Sequence, residues 1–231
     1  MSRVRPNQSN WQTAAAYRQE QGSGCLSFYW LPPLSVLFFG LVVTIAAINI
    51  PIQMTATSYI SNTVISNKLA PLFTSEVQYW NADILHWSSS LNLDPNLVAT
   101  IMQIESCGDD QARSSAGAMG LFQVMPDHFA STDNPLDPDT NALRGLTYLR
   151  RVFDISNHNI VWSLAAYNGG SSLIGLNEIL WPAETIRYVH WGSGIYADAM
   201  QMKSTSQRLN EWLLAGGSSL CNRAHQQLDL P

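Results

Sequence analysis

One carboxyl group in this sequence has a local setting that predicts acid/base chemistry. Glu105 falls near the end of a predicted helix, and Met102 and Val98 precede it on the same helical face. We therefore expect its carboxyl group to emerge beside apolar side chains, where loss of water raises a carboxyl pKa. A carboxyl group that stays protonated near neutral pH can act first as a general acid and then, once ionised, as a general base.

Four short motifs contain the other residues suited to chemistry. Residues 105–126 read ESCGDDQARSSAGAMGLFQVMP, which combines turn-forming Ser and Gly with a GLFQ segment whose backbone can approach a ligand closely. NALRGLTYL, AAYNGG and ETIRYV then follow in that order.

Helix signals predict the elements that hold these motifs. Asp94-Pro95 and Asp137-Pro138 each combine an N-cap residue with a first-turn proline. Apolar residues then recur at helical spacing, and Gly145 would permit close packing of the second of these helices.

Other segments also read as helical. Ser75-Glu76-Val77-Gln78 resembles a capping box at the start of a helix. Another helix is predicted from Ile160 to Tyr167, ended by Asn168-Gly169-Gly170. Apart from short ambiguous runs at 120–124, strand alternation is absent, so the folded part is predicted to be all-α.

Composition and missing motifs exclude several classes of protein. The net charge of −5 and the absence of a dense Lys/Arg run argue against nucleic-acid binding. The sequence has no G-x-S-x-G elbow, no phosphate loop and no His or Cys pair at metal-binding spacing. We therefore predict no metal and no cofactor.

Residues 34–52, LSVLFFGLVVTIAAINIPI, contain no charge, and a helix of about 19 residues would span about 28 Å. This stretch predicts a single transmembrane helix in a lipid bilayer. Arg3, Arg5 and Arg18 precede it, which places the N-terminus in the cytoplasm and the folded domain on the extracytoplasmic side. A cleavable signal peptide is the alternative interpretation.

The sequence thus divides into five parts, four of them outside the membrane. A cytoplasmic segment covers 1–33, a Ser/Thr/Asn-rich tether covers 53–73, the folded domain covers 74–203, and a loosely ordered tail covers 204–231. On the exported side, Cys107 and Cys221 either form a disulfide or remain two free buried thiols.

The four motifs, in this order and spacing, resemble the catalytic domain of the soluble-lytic-transglycosylase-like family, relatives of goose-type lysozyme. The resemblance covers about residues 75–200 and implies an all-α, lysozyme-like domain behind the transmembrane helix. Glu105 matches the family's catalytic glutamate, and Ser106 the serine that follows it.

Two positions depart from the family pattern. Phe122 replaces a methionine, which would reshape the cleft wall, and Gly192 replaces an apolar residue, which would loosen the last helix.

The resemblance also implies residues that contact the substrate, and it leaves Asn141, Gly145 and Tyr148 as mainly structural. Simpler roles exist for some of the contact residues, since Asn168 could end its helix, Ser114 could shape a turn and Met125 could lie in the core. The implied substrate-contacting residues are Ser114, Gln123, Met125, Tyr167, Asn168, Glu184 and Tyr188.

The implied substrate is the glycan strand of bacterial peptidoglycan. Glu105 would be the sole general acid/base in cleavage between N-acetylmuramic acid and N-acetylglucosamine, with a 1,6-anhydromuramic end as product, because Asp109 and Asp110 look like solvated loop residues. Two alternatives stay open: a hydrolytic lysozyme on the same fold, and a wall-binding module without activity in an envelope-spanning machine. The membrane tether would also suit a partner such as a secretion or conjugation apparatus.

Overall fold

The computed structural model describes residues 68–231, which form eight α-helices. Shorter 3₁₀ segments lie at Pro126–His128, Ser171–Leu173 and Glu178–Leu180, and a kinked π-helical segment at Leu213–Gly217. The α-helices are α1 (Ser75–Tyr79), α2 (Asn81–Leu91), α3 (Pro95–Glu105), α4 (Pro138–Ile155), α5 (Ile160–Gly169), α6 (Ala183–Met200), α7 (Gln207–Trp212) and α8 (Ser218–Gln227).

The predicted all-α class is confirmed for these residues. Over 68–231 there is no β-strand, and the ambiguous run near Gly120 contributes only isolated bridges of Met119 with Arg113 and Val124. The contacts between helices are as follows. Helix α3 contacts α2 and α6, α6 also contacts α5 and α7, and α4 contacts α2 and α5.

Helix α3 lies in the core of the domain. Asp94 caps it as predicted, because the Asp94 carboxylate accepts hydrogen bonds from the backbone N–H groups of Asn96 at 2.8 Å and Leu97 at 3.3 Å. Every residue from Pro95 to Ile104 is buried. A helix that is enclosed on all sides is held in place by its neighbours, so its last residue, Glu105, has a well-defined position.

Helix α4 confirms both the second predicted cap and the role of its glycine. Asp137 accepts a hydrogen bond from the backbone N–H of Thr140 at 2.9 Å. A Cβ atom on Gly145 would lie 2.7 Å from the Cβ of Phe122 and 3.1 Å from the hydroxyl of Tyr167. The missing side chain therefore lets α4 approach the two segments that carry these residues.

The start of the domain differs from the prediction in two ways. Leu69, Ala70, Leu72 and Phe73 are buried in the core, so the predicted tether at 53–73 ends too late, and its part before residue 68 lies outside the described residues. The predicted capping box is also wrong, because the N-cap of α1 is Thr74 and makes no side-chain capping bond.

The predicted loose tail at 204–231 is also wrong. These residues form α7, the π segment and α8, and they bury Leu209, Trp212, Cys221 and Ala224 against the rest of the domain. Ser206 caps α7, since its hydroxyl accepts a hydrogen bond from the N–H of Leu209 at 3.3 Å. Apolar burial on one side of each short helix makes this segment part of the fold.

Helix α6 shows no loosening at Gly192. The helix continues from Ala183 to Met200, and a Cβ on Gly192 would meet the side chains of Leu164 at 3.2 Å and Ile104 at 3.4 Å. The glycine allows α6 to pack closely on α5 and α3, so the expected local loosening is wrong.

No helix within residues 68–231 is long and apolar enough to cross a membrane. The predicted transmembrane helix at 34–52 and the cytoplasmic segment at 1–33 lie outside the described residues.

A disulfide joins Cys107 and Cys221, which decides between the two states left open for these cysteines. It links the residue two positions after Glu105 to α8, across a sequence separation of 114 residues. Glu76 lies beside the two sulfur atoms, with ligand-type atoms of the three residues within 4.8 Å of one another. Since both sulfurs are used in the covalent bond, the oxidised cluster offers no thiolate ligands to a metal.

The double variant Cys107→Ser/Cys221→Ser should lower the free energy of unfolding by about 2–5 kcal/mol, because the link restricts a long loop in the unfolded chain. Chemical denaturation with and without reductant measures this loss. Reductant should destabilise the wild type and leave the double variant unchanged. Equal stability of the two oxidised proteins would show that the link contributes nothing.

Candidate active site

The chain just after Glu105 is held by several contacts. The buried hydroxyl of Ser106 donates a hydrogen bond to the Leu121 carbonyl at 2.8 Å and accepts one from the N–H of Gly108 at 3.0 Å. Gly108 has φ of 88°, and a Cβ there would lie 2.8 Å from the carbonyl oxygen of Glu76. Ser106 therefore positions the backbone beside the candidate acid, and the glycine permits the turn that follows.

Glu105 lies at the end of α3 with limited access to the surface. The hydroxyl of Tyr188, from α6, donates a hydrogen bond to its Oε1 at 2.8 Å. The pKa of Glu105 is raised from 4.5 to about 7, and desolvation by burial is the largest cause. The hydrogen bond from Tyr188 lowers this pKa, and the negative charge of Glu184 raises it. The predicted apolar setting and raised pKa of this carboxyl group agree with the structure.

Two tyrosines accompany Glu105. Burial raises the pKa of Tyr167 and of Tyr188 well above the ordinary value, and the charge of Glu105 acts in the same direction on both. Both phenols are therefore protonated at neutral pH. Tyr188 serves as a donor to Glu105, while Tyr167 donates to the backbone carbonyl of Phe122 at 2.9 Å.

Two predicted contact residues, Gln123 and Met125, lie near Tyr167. Gln123 and Met125 line a pocket together with Tyr167, and Met125 is 38% exposed, so it lies outside the core. Gln123 has a positive φ of 45° and donates its side-chain amide to the Gly120 carbonyl at 3.0 Å. A non-glycine residue in this conformation needs support from its surroundings, which that hydrogen bond supplies.

Two other predicted residues make contacts within the protein. The Ser114 hydroxyl accepts a hydrogen bond from the N–H of Ala118 at 2.9 Å and so closes a turn. The Asn168 side chain accepts one from the Thr185 hydroxyl at 2.7 Å, which joins the end of α5 to the start of α6. The two side chains that the resemblance implies as substrate contacts therefore make hydrogen bonds within the protein. Glu184, also at the start of α6, is exposed.

One expectation about the surroundings of Glu105 is wrong, because Asp109 is buried rather than solvated, and burial raises its pKa. Phe122 is completely buried, and its ring packs edge-on against Trp87 at 6.0 Å. Its bulk therefore fills the core, and the residue also borders the pocket that Gln123 and Tyr167 line.

The sequence interpretation missed residues that the fold brings to the site. Thr185 holds Asn168, and the side chains of His128, Arg144 and Arg151 line the pocket beside Tyr167. Arg144, Tyr148 and Arg151 follow at helical spacing on α4, which marks a common face. That spacing alone does not show which other element the face meets.

The fold and site together define a small helical domain with one buried carboxyl group poised near neutral pH. Such a group, held by a hydrogen bond from a tyrosine hydroxyl, is suited to proton transfer at a substrate.

Comparison with known proteins agrees with this class. Residues 83–177 match the family described as the Transglycosylase SLT domain. This match confirms the predicted resemblance to that family. The matched region contains Glu105, Gln123 and Tyr167 and ends before Glu184 and Tyr188.

Similar proteins come from a phage and from bacteria. The chain is 38% identical over 114 residues to the transglycosylase of Enterobacteria phage PRD1, covering 48% of this chain and 40% of that protein. It is 30% identical over 96 residues to the soluble lytic murein transglycosylase of Escherichia coli K12, covering 36% of this chain and 15% of that protein. The chain thus spans less than half the length of these relatives.

Among solved structures, the chain is similar to an inactive mutant of the lytic transglycosylase Slt from Pseudomonas aeruginosa. The identity is 24%, the TM-score is 0.38, and the alignment covers 65% of this chain and 24% of that one.

Tyr188→Phe should raise the pKa of Glu105 above about 7, because the Tyr188 hydroxyl stabilises the ionised carboxylate. Carbon NMR titration of labelled glutamate measures this shift. Tyr167→Phe is the matched control, since the Tyr167 hydroxyl bonds to a backbone carbonyl and not to Glu105. A lower or unchanged Glu105 pKa in the Tyr188 variant would contradict the assigned hydrogen bond.

Glu184→Gln should shift the Glu105 pKa in the opposite direction, to below about 7, because a nearby negative charge disfavours a second one. The same NMR titration applies. Raising the salt concentration should shrink the difference between wild type and variant, since Glu184 is exposed. Equal pKa values at low salt would show that Glu184 lies too far away to act on Glu105.

Proposed function

We propose that this protein is a lytic transglycosylase that cleaves the glycan strands of peptidoglycan between N-acetylmuramic acid and N-acetylglucosamine. Glu105 is its sole general acid/base, and the products carry 1,6-anhydromuramic ends. The observation that carries the proposal is the Glu105 carboxyl group, desolvated to a pKa of about 7 and bonded to Tyr188, within a domain of the SLT family. The names of the phage and bacterial relatives support the same reaction class.

In the first step the protonated Glu105 carboxyl group donates its proton to the bridging glycosidic oxygen. The N-acetylglucosamine side leaves with that proton, while the acetamido oxygen of N-acetylmuramic acid attacks C1 and forms a cyclic intermediate. A pKa of about 7 keeps a large share of Glu105 protonated at neutral pH, which this step requires.

In the second step the Glu105 carboxylate accepts the proton of the muramic C6 hydroxyl. The C6 oxygen attacks C1, the bond from the acetamido oxygen breaks, and the 1,6-anhydro ring closes without net consumption of water. Glu105 ends the cycle protonated. The Tyr188 hydroxyl bond stabilises the carboxylate that exists between the two steps.

The mechanism uses one carboxyl group because the substrate supplies its own nucleophile. The other acid acting on Glu105 is Glu184, which is exposed, and its electrostatic effect favours the protonated form of Glu105. We assign to Glu184 a role in substrate contact and in adjusting the Glu105 pKa. We also assign substrate contact to Gln123, Met125 and Tyr167, which line one pocket.

We further propose that residues 34–52 anchor the protein in a bilayer, with the N-terminus in the cytoplasm and the domain on the extracytoplasmic side. The disulfide between Cys107 and Cys221 supports export, because such links persist in oxidising compartments. A membrane-held wall enzyme would suit local opening of peptidoglycan for a secretion or conjugation apparatus.

Glu105→Gln should abolish cleavage of purified sacculi and leave the protein folded, because Gln lacks a transferable acidic proton while its carbonyl still accepts the Tyr188 bond.

The raised pKa of Glu105 also predicts how the stability of the protein depends on pH. Wild type should lose stability relative to the variant as pH rises from about 4.5 through about 7, since the folded state holds its proton more tightly than the unfolded state.

Turbidity loss of sacculi and thermal unfolding at several pH values measure these effects. Mass spectrometry of the muropeptides then separates the reaction types, because an anhydro product is one water lighter than a hydrolysis product. Substantial activity in the Gln variant would refute the role of Glu105. If the wild type forms hydrolysis products, the protein is a hydrolytic lysozyme. If the wild type forms no products from sacculi, a wall-binding module is favoured.

A further inference from the structure

Three side chains of the types that bind metals meet where α1 packs on α8. They are Glu76 on α1, Cys107 just after α3 and Cys221 on α8, and all three are buried. One ligand-type atom from each lies within 4.8 Å of the other two. Within residues 68–231, no other group of three or more His, Cys, Asp or Glu side chains comes this close together.

His225 adds a fourth ligand-type atom to this group. Its Nδ1 lies 3.0 Å from Oε1 of Glu76. His225 follows Cys221 by four positions on α8, so the two side chains share one face of that helix. Two ligands on adjacent turns of one helix are a common arrangement in zinc sites.

The donor atoms of these four residues are those of a zinc site. Zn²⁺ binds thiolate sulfur at about 2.3 Å and imidazole nitrogen or carboxylate oxygen at about 2.0–2.2 Å, in a tetrahedron. In such a tetrahedron, neighbouring ligand atoms lie about 3.3–3.8 Å apart. The 3.0 Å between His225 and Glu76, and the 4.8 Å limit for the other three residues, are close to this range. Small side-chain rotations would therefore bring the ligands to one ion.

Polar groups around the two sulfur atoms favour a thiolate state. The side-chain amide of the buried Gln103 donates to Cys107 Sγ at 3.0 Å and to Cys221 Sγ at 3.6 Å. The Thr74 hydroxyl lies 3.3 Å from Cys107 Sγ. Contacts of this kind behind metal ligands orient them and stabilise their negative charge. A disulfide carries no such charge, so the polar surroundings suit the two thiolates better than the disulfide.

We propose that the reduced protein binds one Zn²⁺ ion between Glu76, Cys107, Cys221 and His225. Spacing along the chain does not predict this site, because its residues come from three segments that only the fold brings together. For the reduced state the proposal replaces the predicted absence of a metal. It does not depend on the proposed function.

The ion and the disulfide exclude each other, because both use the same sulfur atoms. A phosphine or dithiol reductant supplies two electrons to the S–S bond, each sulfur takes up a proton, and the reductant is oxidised. Each thiol then releases its proton to solvent when its sulfur binds Zn²⁺. Both cysteines enter the chain as thiols during synthesis, so this state precedes the disulfide. The ion would then hold α8 beside α1 and Cys107 until oxidation takes over that role.

Cobalt titration of the full-length protein tests the site. The parent for this test carries Cys25→Ser, which removes the remaining thiol, and a phosphine opens the disulfide. One Co²⁺ per chain should bind and give the sulfur-to-cobalt charge-transfer band in the near ultraviolet together with the visible bands of tetrahedral cobalt. Zn²⁺ should displace the cobalt and abolish these bands. The oxidised protein should give none of them.

Glu76→Gln and His225→Gln distinguish the four-residue site from simple binding by two thiols. Each should weaken the Zn²⁺ affinity of the reduced protein at least about ten-fold, measured by competition with a chelator, since loss of even an outer-shell partner costs that much. Zn²⁺ should also raise the unfolding temperature of the reduced parent and leave that of the oxidised parent unchanged.

His190→Gln is the matched control. His190 also pairs with a carboxylate, that of Glu211 at 3.4 Å, but neither residue belongs to a metal-ligating group of the described part of the chain. This variant should bind Zn²⁺ as the parent does.

Three results would overturn the proposal. Without a charge-transfer band in the reduced parent, the sulfur atoms do not bind the ion. Unchanged affinity in Glu76→Gln or in His225→Gln would exclude the four-residue site, as would an equal loss in His190→Gln. None of these measurements involves cleavage of sacculi, so the proposed function is tested separately.

Discussion

Removal of water from the Glu105 carboxyl group is the constraint on which the rest of the site depends. An ionised carboxylate loses much of its solvation when protein atoms surround it, so the neutral form gains and the pKa rises to about 7. Keeping such a group in place requires a rigid support. Helix α3, which is buried from Pro95 to Ile104, provides this support. The chain immediately after the helix is held by the hydrogen bonds of Ser106 and by the disulfide between Cys107 and Cys221.

Two neighbours adjust this desolvated carboxyl group in opposite directions. The Tyr188 hydroxyl stabilises the carboxylate, and the charge of Glu184 favours the protonated acid. Both residues come from the first turns of α6, four positions apart and therefore on one face. A group that must give up and regain a proton in one cycle works best when its pKa lies near the operating pH, and these opposed effects keep it there.

The C-terminal segment shows how a local pattern misleads. Gly216-Gly217-Ser218-Ser219 reads as flexible chain, yet a Cβ on Gly217 would lie 2.4 Å from the ring of Trp212. This glycine serves close packing rather than flexibility, and the tryptophan that needs it is itself buried. The helices on either side are too short for a clear periodic signal, so only burial against the domain shows their role.

Local features of this protein followed from its sequence alone. Asp94 and Asp137 cap their helices as predicted, Glu105 ends its helix beside apolar residues, and the four motifs predicted the resemblance to the SLT family that the comparison confirms. These features depend on neighbours within a few residues, and backbone geometry determines such contacts. The tertiary structure decided which distant groups meet: Tyr188 reaches Glu105 across 83 positions, and Arg151 lines the same pocket as Tyr167. Spacing along a helix shows which residues share a face, but the packing of whole helices determines what that face contacts.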